Sequence, residues 1–193
     1  MIHELREYTM PIENWPGYID AFQNVAHPIR GDNFGAFIGS WCSPATASIR
    51  FYHLWQFDSL NDRAEKRAAL AKIPEWTNTF LPLAWKNVNS QLVSILNPVE
   101  VLASEVMSST GLYLYKIQTK LGKAGSLTKL LAEDSNFRLA TIGLWTCEFP
   151  DPNAVIVLSK SHTLMDRLSE HEAGSIVRDY QVNQLKPVNQ PTL

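Results

Sequence analysis

Only two of the 193 residues are cysteine, Cys42 and Cys147, and neither has a second cysteine or a histidine at a zinc-ligand spacing. That excludes a disulfide scaffold and suits a reducing compartment. No stretch approaches the roughly 18 uncharged apolar residues of a transmembrane helix. The opening segment lacks the basic region and apolar run of a signal peptide and the Arg/Ser-rich character of a transit peptide, so a soluble cytoplasmic protein is expected. Seventeen basic residues stand against 19 acidic ones for a net charge of −2, which leaves no basic excess for a nucleic-acid backbone. His3, His27, His53, His162 and His171 show no metal-ligand spacing. Gly122-Lys123-Ala124-Gly125 lacks the spacing of a phosphate-cradling loop, and the serine- and cysteine-nucleophile signatures are missing. No metal and no cofactor is expected, and neither nucleic acid nor membrane is expected as a partner.

What the chain does have is an internal echo. Ile38-Gly39-Ser40-Trp41 recurs as Ile142-Gly143-Leu144-Trp145 (142 − 38 = 104), and Leu60-Asn61-Asp62-Arg63 recurs at the same shift as Leu164-Met165-Asp166-Arg167. The surrounding patterns agree. Ile2–Thr9 alternates as a strand, and apolar residues from Trp15 to Ala26 recur at helical spacing. His27-Pro28 is expected to end that helix, since the residue before proline avoids the α region. Strands follow over Phe34–Cys42 and Ile49–Phe57, with a turn at Ser43-Pro44-Ala45. A helix capped by Asp58 or Ser59, a second one opened by Pro74, and a strand over Asn89–Leu96 closed by Asn97-Pro98 complete a βαββαβ order.

The second half reads the same way. Leu112–Thr119 is a strand, Leu121–Ala132 a helix, and Leu139–Phe149 and Ala154–Lys160 are strands around the Asp151-Pro152-Asn153 turn. A helical stretch runs over Leu164–Asp179, after which too few residues remain for a full copy of the last strand. The expected organisation is a first repeat over residues 1–98, a linker over 99–110 and a divergent second repeat over 111–193. The fold class is α+β: two tandem ferredoxin-like repeats. Ile49, Phe51, His53, Trp55 and Phe57 point to one side of their strand and Tyr52 and Leu54 to the other, so both faces demand cover. Packing the repeats sheet-to-sheet as an α+β barrel is the expected solution.

One group of side chains could carry chemistry. Glu4, Arg6 and Tyr8 share a strand face, and so do His53 and Trp55. If the two faces meet inside the barrel, His53 could move a proton, Arg6 could hold an enolate or carboxylate, and Glu4 could orient either. Trp55, Trp41 and Phe51 are the candidate ligand-contacting aromatics. The plainer reading stays open beside this one: Glu4 and Arg6 as a structural ion pair, His53 hydrogen-bonded in the core. The second repeat has Leu114, Lys116 and Gln118 in place of Glu4, Arg6 and Tyr8, so at most one site is expected.

Ile2-His3-Glu4-Leu5-Arg6-Glu7-Tyr8, Trp15-Pro16-Gly17 and His53-Leu54-Trp55-Gln56-Phe57-Asp58-Ser59-Leu60, followed by Arg63, Arg67 and Pro74-Glu75-Trp76, resemble the NIPSNAP family over about residues 1–98. The second repeat matches loosely, with Val157 and Ser159 where the first has His53 and Trp55. The resemblance implies a dimeric α+β barrel, a superfamily that also holds cofactor-independent monooxygenases, cyclases, isomerases and haem-degrading enzymes, and it implies no one activity. The leading expectation is a protein that binds a small apolar or aromatic ligand in the first-repeat cavity. A cofactor-independent monooxygenase, cyclase or isomerase is the alternative from the enzyme class, and an interaction module without a pocket is the third. Whether the chain forms a homo-oligomer is left open by the sequence.

Overall fold

The computed structural model describes residues 1–188. Two compact units divide them: Met1–Val93 with Pro187 and Val188, and Ser94–Lys186. Both are mixed α+β. No helix among the described residues is long and apolar enough to cross a membrane.

In the first unit the alternating run at the start of the chain forms β1 (Ile2–Pro11). It pairs antiparallel with β3 (Ser48–Phe57), and β3 pairs antiparallel with β2 (Ala36–Pro44). Helix α1 (Trp15–Ala21) follows β1 but does not stop at His27-Pro28. It widens into a π-turn over Phe22–Ala26 and continues as α2 (His27–Arg30). The wider turn explains the difference. Pro28 has no N–H to give, and its ring would strike the carbonyl four residues back in a regular helix. The chain ends α2 instead at Gly31, which takes φ 45° and returns its N–H to His27 O at 2.8 Å.

The same device recurs. After α3 (Leu60–Leu70), whose Ser59 cap accepts from the Asp62 N–H, a π-turn over Trp76–Phe80 precedes α4 (Leu81–Asn87) with Pro82 in its first turn. Tyr18 and Phe22 on one side and Phe80 and Ala84 on the other pack onto Phe51, Trp55 and Phe57 of β3.

β4 (Ser90–Val101), which belongs to the second unit from Ser94 onward, runs through Asn97-Pro98 rather than ending there. A register shift between Pro98 and Glu100, opposite Trp145, is where a strand tolerates a residue without an N–H. Part of the expected linker is therefore strand, and α5 (Ala103–Ser108) follows it. The sheet order is β8-β5-β7-β6-β4, with β5 (Leu112–Thr119), β6 (Thr141–Phe149), β7 (Ala154–Ser159) and β8 (Val177–Pro187). The last strand exists in full because the helix before it is short. Helix α8 covers only Leu164–Glu170, and a 3-10 turn over Glu172–Ile176 leads into β8. Helix α6 (Ala124–Glu133) begins after Gly122 rather than at Leu121, which is exposed, and α7 (Ser135–Arg138) follows it. Leu127, Leu131, Leu164 and Leu168 close over Tyr115, Ile117 and Val155. Each such side chain contributes about 1.5–3 kcal/mol by leaving water.

The Gly-x-Trp echo has a structural meaning. Each indole lies back over the glycine two residues before it: a Cβ on Gly39 would stand 2.8 Å from the Trp41 ring, and one on Gly143 would run into the ring of Trp145. Only glycine accepts this approach, and it sets both tryptophans into buried positions.

Candidate functional site

The register of β1 on β3 places Glu4 opposite Trp55, Arg6 opposite His53 and Tyr8 opposite Phe51. These side chains therefore do meet, but on the sheet face that the helices cover. The expectation of a strand-enclosed interior is corrected here. Period-two alternation shows which residues share a face; it cannot show which face the helices choose when both are apolar.

Glu4 is fully buried and is the hub of the charges. Its carboxylate accepts from Arg6 Nη1 at 3.0 Å and from Arg63 Nε at 2.6 Å, with Arg67 Nη1 at 4.0 Å. Burial alone would raise the Glu4 carboxyl, but the Arg6 and Arg63 guanidiniums outweigh it and hold the group below its ordinary value. Burial would likewise lower Arg6, but Tyr8 and Glu4 hold it charged and above its ordinary value. Arg6 Nε donates to the Tyr8 hydroxyl at 2.8 Å, and Gln91 Nε2 donates to the same oxygen at 2.8 Å. The Tyr8 oxygen thus serves as acceptor twice, which leaves its own proton to point elsewhere.

His53 is buried on all sides. Its ring stacks on Phe51 (centroids 5.1 Å apart) and meets the edges of Tyr8 and Phe22 at 5.0 and 5.3 Å. Trp55 Nε1 donates to its Nδ1 at 2.6 Å. Burial, reinforced by the positive charges of Arg6 and Arg30, keeps the imidazole well below its ordinary value. With Nδ1 occupied as an acceptor, neutral His53 carries its proton on Nε2, and Nε2 has no hydrogen-bond partner among the described residues. His53 can donate a hydrogen bond from Nε2; it cannot accept a proton there.

Beside this group lies a cavity of about 280 Å³ within the first unit. Arg6, Tyr8, Tyr18, Arg30 and His53 supply its polar wall. Phe22, Leu70, Trp76, Phe80, Ala84 and Val88 supply its apolar wall, so both π-turns contribute to it. Its exposed lining residues, Arg67, Ala71, Trp85 and Gln91, mark the mouth. Glu4 stands behind the wall rather than on it. Phe51 and Trp55 form a second layer: Phe51 backs His53, and the Trp55 indole carries the Arg30 guanidinium on its face at 3.4 Å. Trp41 pairs in register with Tyr52, on the other parity of β3, and does not line the cavity.

Two buried polar lining residues, Tyr18 and Arg30, lie outside the set read from sequence. The Tyr18 hydroxyl has no hydrogen-bond partner among the described residues, and burial raises it well above the ordinary phenol value. Arg30 is buried; its Nη2 donates to Phe34 O at 2.9 Å and its Nε has no hydrogen-bond partner among the described residues. Burial, then repulsion from Arg6, brings the guanidinium down to about 9. No group of three or more His, Cys, Asp or Glu side chains converges among the described residues.

The fold and this donor-lined cavity define a mixed α+β protein whose site lies between a sheet and its own helices. Over nearly its whole length the chain has the fold of a candidate monooxygenase from Fusobacterium nucleatum (8% identity, covering 97% of this chain and 92% of that one, TM-score 0.59). It has likewise the fold of a candidate monooxygenase from Lactobacillus acidophilus (14% identity, 95% and 92%, TM-score 0.56). Residues 3–102 match the NIPSNAP family model, and the chain belongs to the NIPSNAP family. Protein Atu4242 from Agrobacterium tumefaciens is 29% identical over 51% of this chain and 94% of its own, with a TM-score of 0.48. No curated protein matches the chain.

Proposed function

We propose that the first unit is a ligand-binding module that takes a small, mostly apolar or aromatic molecule into its cavity. The observation that carries this reading is the pair His53 Nε2 and Tyr18 hydroxyl, both buried and without a hydrogen-bond partner among the described residues, on two side chains that line the cavity. A buried unmet donor costs roughly 1–3 kcal/mol, and a ligand oxygen would recover it. The cavity sits at the small end of the range of roughly 300–1,000 Å³ usual for ligand sites, which suits one or two rings. Its presence weighs against an interaction module without a pocket.

A cofactor-independent oxygenase, cyclase or isomerase is the second reading, and the donor array favours it specifically. His53 Nε2–H, Tyr18 and Arg30 could hold the negative charge that develops on an enolate or phenolate oxygen. In that reaction His53 is the electrophile, not the base. As parts of the same proposal, the two units are copies of one βαββαβ repeat, supported by the shared Gly-x-Trp packing, and the protein works in the cytoplasm.

A thermal-shift screen of small aromatic compounds tests the reading. A compound present at 100 times its Kd adds about 2.7 kcal/mol, or roughly 5–10 °C for a chain of this size. Tyr18→Phe, which removes only an unpartnered hydroxyl, should leave the unliganded protein about as stable. His53→Ala and Tyr18→Phe should each erase most of the shift. Hits that stabilise both variants as well as the parent place binding elsewhere.

A further inference from the structure

The wall of this cavity offers donors and almost no acceptors. Arg30, His53, Tyr18 and Tyr8 line it and each carries a donor, and no Asp or Glu lines it among the described residues. The one side-chain acceptor beyond the hydroxyl oxygens is the Gln91 amide at the exposed mouth. The charges are just as one-sided. Arg6, Arg30 and Arg67 line the cavity, and among the described residues the only carboxylate paired with any of them is Glu4, which lies behind the wall and is shared by Arg6, Arg63 and Arg67. Among the described residues Arg30 is in salt-bridge contact with no carboxylate, and Glu4 acts on it only from a distance. Arg30 is 5% exposed, and it donates to one backbone carbonyl and lies over the face of Trp55.

A buried guanidinium without a counter-charge is strongly unfavourable unless something else supplies that charge. Resting on the ligand-binding reading above, we propose that the ligand is an organic acid. Its carboxylate, enolate or phenolate oxygen would meet Arg30, His53 Nε2–H and the Tyr18 hydroxyl, and its apolar body would lie against Phe22, Phe80 and Ala84. A neutral molecule of the same shape would satisfy the two neutral donors but leave Arg30 uncompensated. Arg67, half exposed at the mouth, is placed to draw an anion in. The second unit lacks the arrangement: Lys116 and Gln118 stand where the first unit has Arg6 and Tyr8.

Matched probes separate charge from shape. Binding of 2-naphthoate and 2-naphthamide, and of benzoate and benzamide, is measured by calorimetry at pH 7.5 on the full chain and on Arg30→Met. The acid should bind at least tenfold more tightly than its amide to the parent, and the ratio should fall to near one in Arg30→Met. Without ligand, Arg30→Met should fold with an equal or higher Tm, because the substitution removes an uncompensated buried charge. Amides binding as well as acids would overturn the acid proposal and leave the ligand-binding reading standing. Neutral screening hits that bind while both acids fail would do the same. No binding by any probe or any screened compound overturns both. A ratio unchanged in Arg30→Met overturns the role given to Arg30.

Discussion

Glu4→Ala should destabilise the protein by about 3–5 kcal/mol, the penalty for removing one partner of a buried ion pair. The reason is arithmetic of charge around one buried carboxylate. Arg6 lies 8% exposed and has Glu4 as its only counter-ion among the described residues; Arg63 and Arg67 lean on the same group from the more exposed side. With Glu4 gone, the Arg6 guanidinium remains in a low-dielectric site with only the Tyr8 hydroxyl to receive it. Urea denaturation should show the midpoint falling with an unchanged slope, and Tm should drop by about 10 °C. Replacing both charges, as Glu4→Gln with Arg6→Met, should recover a large part of the loss. A Glu4→Ala variant within about 1 kcal/mol of the parent would mean that the hub is solvated in solution.

Acid should weaken the fold well before its carboxylates are protonated. His3, His27 and His53 are all buried and all lowered from their ordinary value by burial, His3 to about 4. Below about pH 6.5 the unfolded chain takes protons that the folded chain refuses, so stability falls as pH falls. Each refused proton costs about 1.4 kcal/mol per pH unit, and the loss from His3 levels off near its folded value. Glu4 acts in the same direction further down: its lowered carboxyl contributes stability above its ordinary range and loses it as pH falls through the folded value. Denaturant midpoints should therefore drop clearly between pH 7 and pH 5. A flat profile over that interval would show that these imidazoles are hydrated and protonate normally.

Much of the fold is legible because strands and amphipathic helices carry their periods on their surfaces. The limits of β3, β5 and α3 follow from alternation and from the Ser59 cap, and the Gly-x-Trp pair marks two equivalent buried places. Proline misleads twice. His27-Pro28 lies inside a continuous helical segment, because a π-turn just before it absorbs the missing N–H. Asn97-Pro98 lies inside β4, because a register shift beside Pro98 spares the ladder that N–H. The first of these has a consequence for the site. Ending the helix at His27 leaves Arg30 in a loop, whereas Arg30 ends α2 on the cavity wall; Gly31, as a helix-ending glycine, is the signal that could have found it.

Tyr18 is hidden for a different reason. An aromatic at helical spacing reads as core, and only coordinates reveal that its hydroxyl has no partner. Glu4, Arg6, Tyr8 and His53 can be grouped by strand parity alone. Their division into a charge hub behind the wall and donors on it depends on which nitrogen of His53 faces Trp55 and on how far Arg63 reaches from α3. Neither is written in a residue spacing.

Everything proposed for the cavity depends on His53 presenting a permanent N–H to it. Two-bond ¹H–¹⁵N correlation of the histidine rings reads this directly, residue by residue, across pH 5 to 8. His53 should appear as the neutral Nε2–H form throughout, and addition of 2-naphthoate should move its Nε2 signal. A ring that titrates near pH 6.5, or that carries its proton on Nδ1, would contradict the account.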